Sequence, residues 1–376
     1  MSDEERLARV ALGRLTEPGD PRVAQLVAEL GAVRLRELLS DEHETDGLPT
    51  EVATRLAGLD PAGDLHRAAT VGIRYVIPGD AEWPAQLDDL MRAEILDERG
   101  GTPLGLWVKG PRGIDELGQA VAVVGARSAT TYGAEIAAGI AGSLVRAGHP
   151  VVSGAAFGID HAAHRGSLAA GGPTIAVLAC GADRAYPAAH KELLNHLGRT
   201  SCVVAEVPPG CAPTRGRFLS RNRLIAALTL GTVVVEAASR SGALNTANWA
   251  TRLNRHVMCV PGPVTSAQSQ GTHHLIRAGA ATLVTHGEEV LELVGAAGTH
   301  LVAAPQALTR ARDKLSSRLQ RILDAVPLTR PAPVDSIATA AGLGLIEVRS
   351  ALNRLHRLEL VEHAPGGWRL TQAAQG

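Results

Sequence analysis

Continuous apolar runs separated by helix-length stretches rich in Ala and Leu dominate the middle of the chain. Each run consists mainly of Val, Ile, Leu and Ala, without the alternation of apolar and polar residues that a half-exposed strand shows. Strands buried on both faces have this composition, and strands that alternate with helices form parallel sheets. The pattern predicts an α/β fold with a Rossmann-like, doubly wound, mainly parallel sheet. The predicted strands are AVAVVGA from Ala120, PVVSGAA from Pro150, TIAVLAC from Thr174, CVVAEV from Cys202, TVVVEAA from Thr232, VMCVPG from Val257 and TLVT from Thr282.

The segment before this core, residues 1–69, has the apolar spacing of helices. Breaks at Pro18–Pro21, Gly47–Pro49 and Pro61–Gly63 divide it into short helices. We expect a small helical domain here, followed by the sheet domain over residues 70–297.

The end of the chain has a third pattern. Residues 311–376 contain three amphipathic segments and then two short strands joined by Pro365-Gly366-Gly367. Three helices followed by a hairpin are typical of a winged helix-turn-helix domain. A linker rich in Ala, Gly and Pro, residues 298–310, separates this domain from the core.

The charge of the whole molecule does not favour nucleic acid. The chain has 376 residues, of which 37 are basic and 38 acidic, so its formal net charge is −1. Any affinity for DNA must therefore come from a local patch.

The sequence predicts a cytoplasmic protein that does not enter a membrane. The first residues, MSDEERLARV, are acidic where a secretory signal is basic. No stretch approaches the roughly 18 apolar residues that span a bilayer. The four cysteines lack C-x-x-C spacing, which is typical of reduced thiols.

A basic run, RGRFLSRNR, is the candidate for such a local patch of positive charge. It places four arginines and one of the two phenylalanines within nine residues. Guanidiniums bind phosphates bidentately, and an exposed aromatic ring can stack on an unpaired base. The run therefore indicates a groove for single-stranded DNA, and the alternative is an amphipathic helix with a solvated basic face. The candidate residues are Arg215, Arg217, Phe218, Arg221, Asn222 and Arg223.

Three predicted strands end in small polar residues that begin a helix. The carboxyl ends of parallel strands meet at one edge of a sheet, and free N–H groups at a helix start attract anions. The basic run follows a fourth strand, so we expect all of them to converge on a phosphate-rich ligand. The candidate residues at the strand ends are Arg127, Ser153, Gly154, Ser241 and Gly242.

No cofactor or metal motif accompanies these strand ends. The sequence contains neither G-x-G-x-x-G nor G-x-x-x-x-G-K-[ST], the patterns of dinucleotide and P-loop sites. Asp160, His161 and His164 lie close together, but no third ligand with convincing spacing accompanies the histidines. We therefore predict no cofactor and no metal, with Asp160 as a helix cap.

These motifs resemble the DNA-processing protein A family (DprA/Smf). The first, G-S-R-x-x-T-x-Y-G, is matched from Gly125 to Gly133 with Ala126 in place of Ser. S-G-x-A-x-G-I-D-x-x-A-H is matched from Ser153 to His164, and F-x-x-R-N-R-x-I-A from Phe218 to Ala226. V-V-E-A-x-x-x-S-G-x-L-x-T-A is matched from Val234 to Ala247. The resemblance covers about Val71 to Val284.

The resemblance implies a non-enzymatic protein that binds single-stranded DNA and helps to load the RecA recombinase in natural transformation or related recombination. It further implies a homodimer formed through the Rossmann-like domain, an N-terminal domain of sterile-alpha-motif type and a C-terminal winged helix. On this basis Arg127 grips a phosphate, Phe218 stacks on a base, and the arginines of the run extend the track. Arg221 and Arg223 point about 160° apart on a helix, so one of them is structural and pairs with Glu206 or Glu236.

Two other functions fit parts of the sequence. A nucleotide hydrolase similar to the cytokinin-activating phosphoribohydrolases has a similar fold, but its P-G-G-x-G-T is replaced here by residues Ser239 to Gly242. Alternatively, the third helix of the winged-helix domain could read duplex DNA. It carries Arg349, Asn353, Arg354 and Arg357, although its leucines make it chiefly a core element.

Overall fold

A computed structural model describes residues 2–42, 50–301 and 311–374. The chain divides into two compact units, Met1–Val302 and Ala303–Gly376. The predicted break at Gly47–Pro49 and most of the predicted linker, residues 302–310, lie outside the described residues. No helix among the described residues combines the length and the apolar character needed to cross a membrane.

The first unit is built around one nine-stranded sheet with the order β1-β2-β6-β5-β4-β3-β7-β8-β9. All pairs among β3 to β9 are parallel, which confirms the predicted doubly wound sheet. The sequence pattern missed β1 and β2, which pair with each other and with β6 in antiparallel fashion. The strands are β1 (Ile73–Val76), β2 (Leu106–Lys109), β3 (Val121–Val124), β4 (Val151–Ser153), β5 (Thr174–Leu178), β6 (Cys202–Ala205), β7 (Gly231–Val234), β8 (His256–Cys259) and β9 (Thr282–Leu283).

Helices cover both faces of this sheet. Side chains of α6, α7 and α12 form one buried apolar layer, and those of α9 and α10 form the opposite layer. The strands are buried on both sides, which explains why their sequences are continuously apolar. The helices of the first unit are α1 (Asp3–Leu15), α2 (Pro21–Leu30), α3 (Ala32–Ser40), α4 (Glu51–Ala57), α5 (Pro61–Thr70), α6 (Thr131–Arg146), α7 (Ile159–Ala169), α8 (Lys191–Thr200), α9 (Arg215–Ala227), α10 (Gly242–Arg252), α11 (Gln270–Arg277) and α12 (Gly287–Val294).

The N-terminal helices pack against the antiparallel part of the sheet. Val10 of α1 belongs to the same buried cluster as Tyr75 of β1 and Trp107 of β2. Arg6 binds the carboxylate of Asp80, with Nη2 2.8 Å from Oδ1. The boundary predicted between residues 69 and 70 falls in the last turn of α5, three residues before β1 and inside the first compact unit.

The second unit contains three helices followed by a two-stranded antiparallel hairpin. A buried cluster of Leu, Ile and Val side chains joins the helices to Trp368 of the hairpin. This order is compatible with the predicted winged helix-turn-helix domain. The elements are α13 (Ser317–Asp324), α14 (Val334–Ala341), α15 (Leu345–Arg357), β10 (Val361–Ala364) and β11 (Gly367–Leu370).

Candidate nucleic-acid interface

An open cleft of about 690 Å³ lies at the carboxyl ends of β3 and β7, against the first two turns of α9. The loop after β3, the start of α10 and the basic run on α9 all contribute to its wall. The structure therefore brings together the segments that the sequence predicted to converge. The predicted site residues that line the cleft are Arg127, Arg215, Phe218, Arg221, Asn222, Ser241 and Gly242.

An arginine and a phenylalanine meet at the rim of the cleft. The Cζ atom of Arg127 lies 4.8 Å from the centre of the Phe218 ring. Arg127 is exposed and Phe218 is half-buried, so both can reach a bound ligand. Tyr186, which is exposed, also contacts the Phe218 ring, with 5.8 Å between the ring centres. The sequence gave Tyr186 no role, since only the fold places it beside Phe218.

Local hydrogen bonds fix the elements that carry this pair. Thr214 caps α9 by accepting a hydrogen bond from the Arg217 N–H, which starts the helix directly before Arg215. In the loop after β3, Thr130 donates both its N–H and its hydroxyl to the buried carboxylate of Glu236. Glu236 therefore holds the loop that carries Arg127, and among the described residues it does not pair with an arginine of the basic run.

The guanidinium of Arg221 forms the floor of the cleft. Its side chain is buried, and Nη1 donates to the carbonyl oxygen of Val177 at 2.9 Å. Its buried Nε has no hydrogen-bond partner among the described residues. A Cβ atom added at Gly154 would lie 1.5 Å from Arg221 Nη1, so only glycine leaves room for this guanidinium.

Asp160, at the start of α7, faces this floor. It accepts hydrogen bonds from the N–H groups of Gly154 and Ala156 at 3.1 and 3.3 Å. Burial raises the pKa of Asp160, and the charge of Arg221 acts in the opposite direction. Burial likewise lowers the pKa of Arg221, and the Asp160 carboxylate opposes that change. The arrangement places a buried cation, balanced by one carboxylate, beneath the cleft.

Three predicted residues do not present their side chains to the cleft. Arg223 is fully buried and forms a bidentate ion pair with Glu206 at 2.6 Å, so it is the structural arginine of the run. Ser153 is buried and donates its hydroxyl to the carbonyl oxygen of Val123. Arg217 is paired bidentately with Glu17 at 2.8 and 2.9 Å.

The start of α10 supplies small polar groups to the cleft. Ser241 is the N-cap of this helix and accepts a hydrogen bond from the Ala243 N–H. Asn222 of α9 donates to the carbonyl oxygen of Gly242 at 3.3 Å, which links the two helices. Arg240 also lines the cleft, next to this helix start, and was not among the predicted site residues.

The histidines of the second motif are packed into the protein. His164 is fully buried, and its Nδ1 lies 2.7 Å from the Thr174 hydroxyl. Burial lowers the pKa of His164 to about 3, so the ring is neutral at physiological pH. His161 stacks on His190 with 4.5 Å between the ring centres. In the part of the chain that the structure describes, no group of three or more His, Cys, Asp or Glu residues is placed to hold a metal.

Comparisons with known proteins match both the sequence and the fold. The family model for DNA recombination-mediator protein A matches residues 74–295, which include the cleft. A Mycobacterium tuberculosis protein assigned as a DNA processing protein DprA is 40% identical over 379 residues, covering 100% of this chain and 97% of that protein. The protein Smf of Escherichia coli is 36% identical over 255 residues, covering 66% of this chain and 67% of that protein.

Two solved structures have the same fold. The X-ray structure of DNA processing protein A from Streptococcus pneumoniae has a TM-score of 0.64 and 31% sequence identity, and covers 77% of this chain and 97% of that one. DNA processing protein A from Helicobacter pylori, whose structure addresses its single-stranded DNA binding mode, has a TM-score of 0.50 and 24% identity. This match covers 58% of this chain and 94% of that chain.

Proposed function

This chain belongs to the DNA recombination-mediator protein A family, and from that premise we propose that it binds single-stranded DNA in the cleft described above. The observation that carries the proposal is the pair formed by Arg127 and Phe218 at the rim. A guanidinium binds phosphate oxygens, and an aromatic ring stacks on any unpaired base. A duplex offers no exposed base faces, so this pair favours a single strand.

The remaining groups of the cleft fit a phosphate backbone. Arg215 is exposed at the start of α9, and Arg221 brings positive charge to the floor. Ser241 and Gly242 open α10, where free N–H groups and the helix dipole favour an anion. In our proposal the strand runs over α9 with a base against Phe218 and its phosphates along these cations.

The proposal is a binding function without catalysis. The two carboxylates near the cleft, Asp160 and Glu236, both hold backbone N–H groups of neighbouring loops. Because these carboxylates are engaged in holding the loops in place, a structural role for them is favoured over a role as general base. Within this proposal the protein acts in the cytoplasm as a homodimer, protects incoming single strands and delivers them to the RecA recombinase. Membership of the family supports this role, as does the study of single-strand binding in the Helicobacter pylori protein.

Fluorescence anisotropy with labelled oligonucleotides of one sequence, single-stranded and duplex, tests the proposal. We expect the wild type to prefer the single strand, and Arg127→Ala to weaken that binding. Arg199→Ala is the matched control, because Arg199 is exposed near the end of α8, at the opposite edge of the sheet. Equal affinity for both oligonucleotides, or equal effects of the two substitutions, would refute the cleft as a single-strand site.

A further inference from the structure

A second set of aromatic side chains lies beside the cleft and has no role in the proposal above. Phe157 is 48% exposed, although an apolar ring of this size is usually buried. It follows Ala156, which lines the cleft, so the ring stands at the border of the proposed DNA site. It forms an edge-to-face contact with the ring of His190, with 4.8 Å between the ring centres.

The loop that carries Phe157 is held in one shape. Ala155 has a left-handed backbone with φ of 53°, a conformation that a residue with a Cβ atom rarely adopts. The carbonyl oxygen of Ala155 lies 2.9 Å from Nδ1 of the buried His190. His161 also stacks on His190, so the rings of Phe157, His190 and His161 form one cluster. This packing fixes the exposed ring, which reduces the entropy that a ligand would lose by ordering it.

The cluster lies at the same edge of the sheet as the cleft, where the parallel strands have their carboxyl ends. The loop of Phe157 follows β4, which pairs with β3 on one side and β5 on the other. Neighbouring strands are about 4.8 Å apart, so the loops after β3, β4 and β5 stand side by side. Tyr186, in the loop after β5, contacts Phe218 and belongs to the same row of exposed rings.

Cations accompany this cluster as they accompany Phe218. Arg165 and Lys191 are exposed, and neither forms an ion pair with a carboxylate among the described residues. Arg165 lies one helical turn beyond His161 on α7, and Lys191 directly follows His190. Exposed rings with unpaired cations beside them are the combination that binds a single strand through its bases and phosphates.

We propose that Phe157 is a second base-stacking platform, which extends the single-stranded DNA track from the cleft across the ends of β4 and β5. Arg165 and Lys191 contact the phosphates of this extension. The inference rests on the proposed function, because it assigns a longer stretch of the same ligand to the same edge of the sheet.

The test compares two labelled oligothymidylates, one of about 4 nucleotides that fills the cleft and one of about 15 that also reaches the extension. Phe157→Ala is expected to weaken binding of the long oligonucleotide about 5- to 150-fold and to leave the short one unchanged. Phe157→Trp, which keeps an aromatic face, retains the affinity of the wild type. Phe218→Ala weakens both oligonucleotides, because both occupy the cleft.

Each outcome decides a different claim. If Phe157→Ala binds the long oligonucleotide as the wild type does, while Phe218→Ala binds it weakly, the extension is wrong and the cleft stands. If the wild type binds neither oligonucleotide, the proposed function itself fails and the extension fails with it. A double variant, Arg165→Gln with Lys191→Gln, reduces the salt dependence of binding for the long oligonucleotide alone.

Discussion

The guanidinium of Arg127 lies over the ring of Phe218, with 4.8 Å between Cζ and the ring centre. A cation–π contact of this kind contributes about 0.5–1 kcal/mol at an exposed site. The contact holds the two side chains of the proposed DNA-binding pair in one arrangement before the ligand binds. Substitutions of Arg127 and Phe218 should therefore have non-additive effects on the affinity for DNA.

Removal of the aromatic platform is the first prediction. Phe218→Ala is expected to weaken binding of a single-stranded oligonucleotide by about 1–3 kcal/mol, because it removes a stacking surface. The effect of Phe218→Ala and Arg127→Ala combined is expected to be smaller than the sum of the two, since each substitution also disturbs the other's contact. Anisotropy titrations of the four proteins measure this coupling, and strict additivity would show that the contact has no role in binding.

The salt dependence of binding tests the charges of the cleft. Arg127, Arg215, Arg221 and Arg240 line it, and each phosphate contact with a single strand contributes a log–log slope of about −0.7. Three to four contacts predict a slope of about −2 to −3. Arg215→Gln is expected to reduce it by about 0.7. A slope near zero would mean that the cleft does not hold phosphates electrostatically.

The ion pair between Glu17 and Arg217 restrains a cation at the border of the cleft. Glu17→Gln is expected to release this guanidinium and to increase the affinity for single-stranded DNA by about 2- to 5-fold, the size of a surface ion pair. Glu29→Gln is the matched control, because it removes an equal charge at an exposed position of α2. Equal effects of the two substitutions would mean that only the net charge matters.

Arg223 and Glu206 are expected to affect stability instead of binding. Arg223→Met alone leaves the part-buried carboxylate of Glu206 without its partner and should lower the free energy of unfolding, by at most about 3–5 kcal/mol, the loss typical of a fully buried pair. Arg223→Met combined with Glu206→Leu removes both charges and should recover most of this loss. Urea unfolding measures the stability of both variants. A stable Arg223→Met protein that has lost its affinity for DNA would reverse the assignment.

The buried ring of His164 predicts a pH dependence of stability. Burial lowers its pKa to about 3 in the folded protein, against 6.5 for an ordinary histidine. The folded protein therefore binds fewer protons than the unfolded chain, so this contribution is complete above pH 6.5 and is lost as the pH falls towards 3. The expected loss is about 1.4 kcal/mol per pH unit within this window. An NMR titration in which His164 protonates near pH 6.5 in the folded protein would contradict it.

The parallel strands were predictable because burial on both faces demands continuous apolar sequence. The antiparallel strands β1 and β2 were not, since IRYV and LWVK are short and carry a basic residue each. Their place in the sheet depends on pairing with each other and with β6, which no local pattern expresses.

The candidate site was likewise only partly predictable from the sequence. Helical geometry predicted that Arg221 and Arg223 point in different directions, but not which of them faces the ligand. That choice depends on Glu206 and on the space above Gly154, both distant in the sequence. Phe157 and Tyr186 were given no role either, because a single aromatic residue in a loop has no period.

The position of the Arg221 guanidinium in the cleft floor depends on the absence of a Cβ atom at Gly154. Gly154 has no Cβ, and the guanidinium of Arg221 occupies the space where that atom would be. Even Gly154→Ala would displace this cation while leaving every charge in the protein unchanged. A methyl group added at Gly154, which does not itself line the cleft, would thus remove a cation from the cleft floor. Under the proposed function, a substitution can therefore weaken binding without removing any side chain that lines the cleft.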